Sequence, residues 1–205
     1  MIHDALRLIR EELQDYINAN QESGEPATEV VLRNIGMLDS DSADLDDRLV
    51  ITLVNIEEER TLKNIPSFQK NNNSNTVTYQ NAPVHLNLYV LFSANFVSGS
   101  EPYEMALLRL SHVIRFFQMK NVFTIQTSTD NAFLNSVFDP GRNQIKIILN
   151  LYSMTFEQLN HLWGSLGGKQ VPSAMYRCWL VELQDDKLSK SGALIEEIKS
   201  QEKIN

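Results

Sequence analysis

The 205-residue chain is 42% hydrophobic and 21% charged, ordinary values for one globular domain long enough to bury a real core. Its 18 basic and 26 acidic residues leave a net charge of −8, which excludes a surface built on excess Lys and Arg for nucleic acid. A single cysteine, Cys178, allows no internal disulfide, and no apolar run reaches membrane-spanning length.

The first 20 residues carry charges throughout, unlike the apolar core of a signal peptide. The expectation is therefore a protein made and folded in the cytoplasm, with no nucleic-acid and no membrane partner. Ile2, Leu6, Ile9, Leu13 and Ile17 line one face of an amphipathic helix. A turn over Gln21–Pro26 leads to a short strand around Glu29–Ile35, then to an acidic loop holding Asp39, Asp41, Asp44, Asp46 and Asp47. Arg48–Ile56 is β-branched and apolar on both faces, which predicts a strand inside a sheet.

Glu57–Ala82 is polar and asparagine-rich, broken by Ile65, Pro66 and Phe68, and reads as a long loop, functional or disordered, with a short strand at Val77–Tyr79. Val84–Phe92 alternates, with Val84, Leu86, Leu88, Val90 and Phe92 on one side and His85, Asn87 and Tyr89 on the other. Pro102 opens the longest helix, to about Met119. Tyr103, Ala106, Leu107, Leu110, Val113, Ile114 and Phe117 form one apolar face; Met105, Leu108, His112, Phe116 and Met119 form a second. Such a helix must be covered twice, once by its own sheet and once by a second helix or another subunit.

Strands are expected at Val122–Gln126 and Gln144–Leu151, the latter with Ile145, Ile147, Leu149 and Leu151 inward. Thr155 and Gln158 form a capping box, with Met154 and Leu159 placed as a hydrophobic staple. Phe156, Leu159, Leu162, Trp163 and Leu166 recur at helical spacing until Gly167-Gly168 ends the helix, and a long strand follows to Leu183. The fold class is α/β (α+β): a single domain over 1–186, with about three helices on a mixed sheet of five or six strands, and a polar tail over 187–205.

Reactive chemistry is sparse. His3, His85, His112 and His161 sit at no metal-binding spacing, and no residue pattern activates Cys178 as a nucleophile. The acidic loop lacks the glycine and terminal glutamate of a calcium-binding hand. Gly168-Lys169 is no phosphate loop, because its glycines end a helix where such a loop opens one. No catalytic, cofactor-binding or metal residue is assigned, and the expectation is a protein that is not an enzyme.

Three segments together carry a likeness: NLYVLFSANF (Asn87–Phe96), YEMALLRLSHVIRFFQ (Tyr103–Gln118) and LNHLWGSLGGKQVPSAMYRCWLVEL (Leu159–Leu183). They resemble the tail-terminator, or cap, proteins of extracellular contractile injection systems, which are similar to phage tail terminators. The likeness runs from the first helix to about Leu183, and some relatives look longer at the C-terminal end. It implies a hexameric ring that terminates the inner tube at the end distal to the baseplate and helps anchor the last sheath layer. The implied partners are further copies of the chain, the inner tube protein and the sheath protein, in a particle assembled in the cytoplasm and then released.

For a ring of that kind, Met105, Leu108, Phe116 and Met119 are the candidate subunit interface; burial within the monomer is the alternative. Ile65, Pro66 and Phe68, with Leu194, Ile195 and Ile198 of the tail, are candidate tube or sheath contacts; an unbound loop and a frayed end are the alternatives. A different reading is a monomeric adaptor or a small-molecule-binding α/β module whose pocket uses His85, Asn87 and Tyr89.

Overall fold

The computed structural model describes residues 2–21, 25–37, 45–59, 68–71, 76–79, 84–124, 146–183 and 190–193. A helix α1 (Ile2–Ala19) precedes strand β1 (Glu29–Leu32), a turn of 3-10 helix (Ile35–Met37) and β2 (Arg48–Glu58). Strands β3 (Phe68–Asn71), β4 (Thr76–Tyr79) and β5 (Val84–Asn95) lead to helix α2 (Pro102–Met119). Then come β6 (Val122–Thr124), β7 (Lys146–Leu151), helix α3 (Phe156–Ser165), β8 (Ser173–Leu183) and β9 (Lys190–Ala193).

The main sheet has six strands in the order β1-β2-β5-β8-β7-β6. Only the β1–β2 pair is parallel, so the sheet is mixed, as the sequence predicts. Period-2 alternation then sorts side chains between two layers. Leu49, Ile51, Leu88, Val90, Phe92, Ile147, Leu149, Tyr176 and Cys178 point to the side that carries α1 and α2. There they meet Leu6, Ile9, Leu13 and Ile17 of α1, with Val113, Phe116 and Phe117 of α2. Val50, Leu91 and Met175 point to the other side, where Trp163 of α3 closes a smaller core.

Local chemistry explains the element ends. β1 stops at Leu32, short of the expected Ile35, because the Thr52 hydroxyl replaces its ladder: it donates to the Arg33 carbonyl at 2.7 Å and accepts the Ile35 N–H at 3.0 Å. α3 carries the expected capping box, with the Gln158 N–H donated to Thr155 Oγ1 at 3.2 Å. At its other end Gly167 and Gly168 adopt φ of 100° and 79°, and the Gly168 N–H reaches the Trp163 carbonyl at 2.7 Å. Lys120 follows α2 and ties it to α1 through Glu12 at 2.7 Å.

Several expectations are corrected. Phe156 is 93% exposed, since the half-buried Met154 and Leu159 take up the space at the start of α3. Leu151, the last residue of β7 and paired with Tyr176 of β8, is exposed. In the stretch expected as a long loop, β2 continues to Glu58 and a further strand, β3, pairs with β4, which is the strand expected at Val77–Tyr79. Strand β9, from the expected polar tail, pairs with β4 to complete a second, three-stranded sheet. Ile145, Gln144 and residues 125–126 lie outside the described residues.

Candidate assembly surfaces

Helix α2 does not divide into the two faces its sequence suggests. Its inward line is Ala106, Val113 and Phe117 from one face, Phe116 from the other, and Arg109 from neither. Arg109 is the anchor: with none of its side chain exposed, it meets Glu25 at 2.9 Å and donates to the Pro26 carbonyl at 3.3 Å. That fixes the first half of α2 against the segment before β1 and turns Tyr103, Leu107, Leu108, Ile114 and Met119 outward.

The four candidate interface residues therefore part company. Phe116 is 5% exposed and packs on Phe117, Phe123 and Tyr16, so it belongs to the subunit's own core. Met119 is 62% exposed at the far end of the helix. Met105 and Leu108 come together in a 520 Å³ groove at the helix start, floored also by Pro26, Ala27 and Phe96. Carboxylates of Glu25, Asp47, Glu101 and Glu104 rim it. Glu101 and Glu104 make no ion pair among the described residues.

Asp47 sets the shape of this groove. Its backbone sits at φ 58°, a left-handed conformation that Asp tolerates. Its carboxylate accepts the Val97 and Ser98 N–H groups at 3.0 Å each. The Ser98 amide, ahead of the opposing effect of burial, holds the carboxyl below the usual carboxylate range. Asn95 reinforces the clamp, donating to the Leu45 carbonyl at 2.9 Å.

A second exposed surface lies on the other half of the sheet and on its opposite face. Register places Val122, Ile148 and Trp179 side by side across β6, β7 and β8. Trp179 is 40% exposed, past the reach of α3. Lys146 stands one pleat away along β7 on the same face, exposed and in no ion pair among the described residues. On the other flank Arg177 stacks over Trp179, 5.3 Å from its ring, and bonds Glu59 and Asn87 at 3.2 Å each.

This network accounts for two of the three residues of the small-molecule alternative; His85 stands outside it, both ring nitrogens buried without a hydrogen-bond partner among the described residues. Asn87 is buried between Arg177 and Glu59, and Tyr89 donates to Glu57 at 3.0 Å, so both are committed to holding strands together. Tyr89 further lines a 420 Å³ groove beside α3 with Tyr152, Gln158 and His161. His112 lies edge-on to Tyr16 and His161 lies 3.8 Å from Glu157. Burial pushes the Cys178 thiol far above its ordinary value, which leaves it unreactive. Among the described residues no group of three or more His, Cys, Asp or Glu is placed to hold a metal ion, and no helix is long and apolar enough to cross a membrane. Ile65, Pro66, Leu194, Ile195 and Ile198 lie outside the described residues; Phe68 begins β3.

Arg109 and Trp179 are the site-building residues that sequence reasoning passes over. Trp179 left a signal, since it is out of phase with the inward Tyr176, Cys178 and Leu180. Arg109 left none, because its partner Glu25 is remote in sequence.

Two solved structures share the fold, each at 15% identity. One is the cryo-EM structure of the sheath/tube terminator of an extracellular contractile injection system, PVC, in its extended state, with a TM-score of 0.59 over 100% of this chain and 64% of that one. The other is the cap of the anti-feeding prophage, a tube-terminating cap, with a TM-score of 0.57 over 95% of this chain and 59% of that one. The chain thus spans about three fifths of the length of the proteins it matches. The architecture is that of the tube-terminating caps of contractile injection systems. Within that class the chain belongs to the family of the Pvc16 N-terminal domain, which matches residues 4–197. No curated protein sequence matches it.

Proposed function

We propose that this chain is a structural cap of a contractile injection system. Copies form a hexameric ring that terminates the inner tube at the end distal to the baseplate and helps anchor the last sheath layer. The observation that carries this reading is membership of the Pvc16 N-terminal domain family over residues 4–197, joined to the fold of two tube-terminating caps. No bond is made or broken in this role. Growth stops because one side of the ring matches the tube while the other offers no place for a further layer.

Closed rings use heterologous contacts, in which one surface meets a different surface on the neighbour. Met105, Leu108 and Met119 on the outward side of α2 serve as the first of these surfaces. Ile65, Pro66 and Phe68, with Leu194, Ile195 and Ile198, remain the proposed contacts to tube or sheath. Assembly takes place in the cytoplasm, and the finished particle is released with the cap in place.

Electron microscopy of particles assembled without this chain tests the reading. Tubes of uncontrolled length, or sheaths that detach, are the expected result. Particles of normal length with stable sheaths overturn it.

A further inference from the structure

We infer that the acidic groove at the start of α2 receives the strip Val122–Ile148–Trp179 of the next copy, with Lys146 of that strip set against Glu101 and Glu104. This inference rests on the ring reading above and names the second surface that the ring requires. The groove is lined by apolar Met105, Leu108 and Phe96 together with the acidic Glu25, Asp47, Glu101 and Glu104. The strip has the reverse character: an apolar row across three strands with a cation on either flank.

Charge singles out a second copy as the occupant. Glu101 and Glu104 on one surface, and Lys146 on the other, are each without an ion-pair partner among the described residues. Arg177 is already held by Glu59, so it stiffens Trp179 and leaves Lys146 as the free cation. In a chain with a net charge of −8, copies repel one another on average, and a local cation placed beside exposed apolar residues selects one approach over others. An exposed tryptophan framed by charge is also the kind of residue that anchors protein contacts.

Topology supplies the geometry. The groove is built from the segments leading into β1 and β2 and out of β5, at one half of the sheet. The strip belongs to β8, β7 and β6, at the other half and on the opposite face. Two complementary surfaces so placed cannot meet within one subunit. Between copies they repeat head to tail, the arrangement that generates a ring when the rotation closes.

Charge reversal in the full chain tests the pairing, read by light scattering across a concentration series at low salt. The parent chain is expected to form rings. Lys146→Glu alone, and Glu101→Lys with Glu104→Lys, are each expected to raise the concentration needed for half assembly by about tenfold or more. Lys146→Glu should leave the unfolding transition unchanged, because the side chain is exposed, whereas the two glutamate changes, at the start of α2, should lower it slightly through the helix dipole. All three changes in one chain should restore rings, which a merely destabilised subunit does not do. Reversed chains that assemble as readily as the parent overturn this inference and leave the ring reading standing. A parent chain that forms no ring, alone or on tube ends, removes both. A two-fold dimer in which α2 of one copy packs against α2 of another also overturns it.

Discussion

Arg109 is a cation with no solvent contact, paired through Nη2 with Glu25, which retains some. Removing one member of a buried ion pair leaves the other charge stranded, at a cost of about 3–5 kcal/mol. Arg109→Ala should therefore destabilise the fold by about 3 kcal/mol, the low end, since Glu25 can rehydrate. Urea denaturation measures it, and pairing Arg109→Met with Glu25→Gln should recover part of the loss. Titration gives two further tests. Burial pushes the Tyr176 phenol up to about 12, and the Cys178 thiol rises with it. Both groups stay neutral in the folded chain after the unfolded chain has ionised. Stability is thus fully present below the unfolded pKa values and falls as pH rises from about 9 towards 12, by roughly 2–3 kcal/mol for the tyrosine alone. Asp47 acts with the opposite sign: its depressed carboxyl supports the fold above pH 4 or so and loses that contribution as acid protonates it. Asp47→Asn should flatten the acid limb of a stability–pH profile while keeping a residue that tolerates the left-handed turn.

At the scale of elements, α3 is stopped and started by chemistry written into its sequence. Thr155→Ala should cost about 1 kcal/mol through loss of the cap, and Gly167→Ala a similar amount through its φ of 100°; thermal unfolding reports both. These features were legible because capping and helix termination depend on residues a few positions apart. The alternation of β5 and the interior placement of β2 were legible for the same reason. The faces of α2 were not. Its apolar residues wrap most of the helix, and the rotation is decided by Arg109 finding Glu25, a contact that periodicity cannot contain. One consequence is that Leu108→Asp should leave the unfolding midpoint close to that of the parent chain. Phe116→Asp, which buries a charge among Phe117, Phe123 and Tyr16, should unfold it. Near-ultraviolet circular dichroism separates the two outcomes. The pairing of β9 with β4 was equally hidden, since β9 has no strand signature of its own and lies far from β4 in the chain.

For the whole molecule, the sheet's middle and its margins differ in kind. Strands β2, β5 and β8 run 11–12 residues, each with a neighbour on either side, although β1 flanks β2 over Arg48–Ile51 alone. The bordering strands β1 and β6 have four and three residues. Border strands this short leave the outer edge of β2 beyond Ile51 without a neighbouring strand among the described residues. The acidic run Glu57, Glu58 and Glu59 at that edge sets like charges against one another when two copies approach backbone to backbone. Side-chain contacts elsewhere carry no such penalty, and they can be tried, released and tried again until the right neighbour docks.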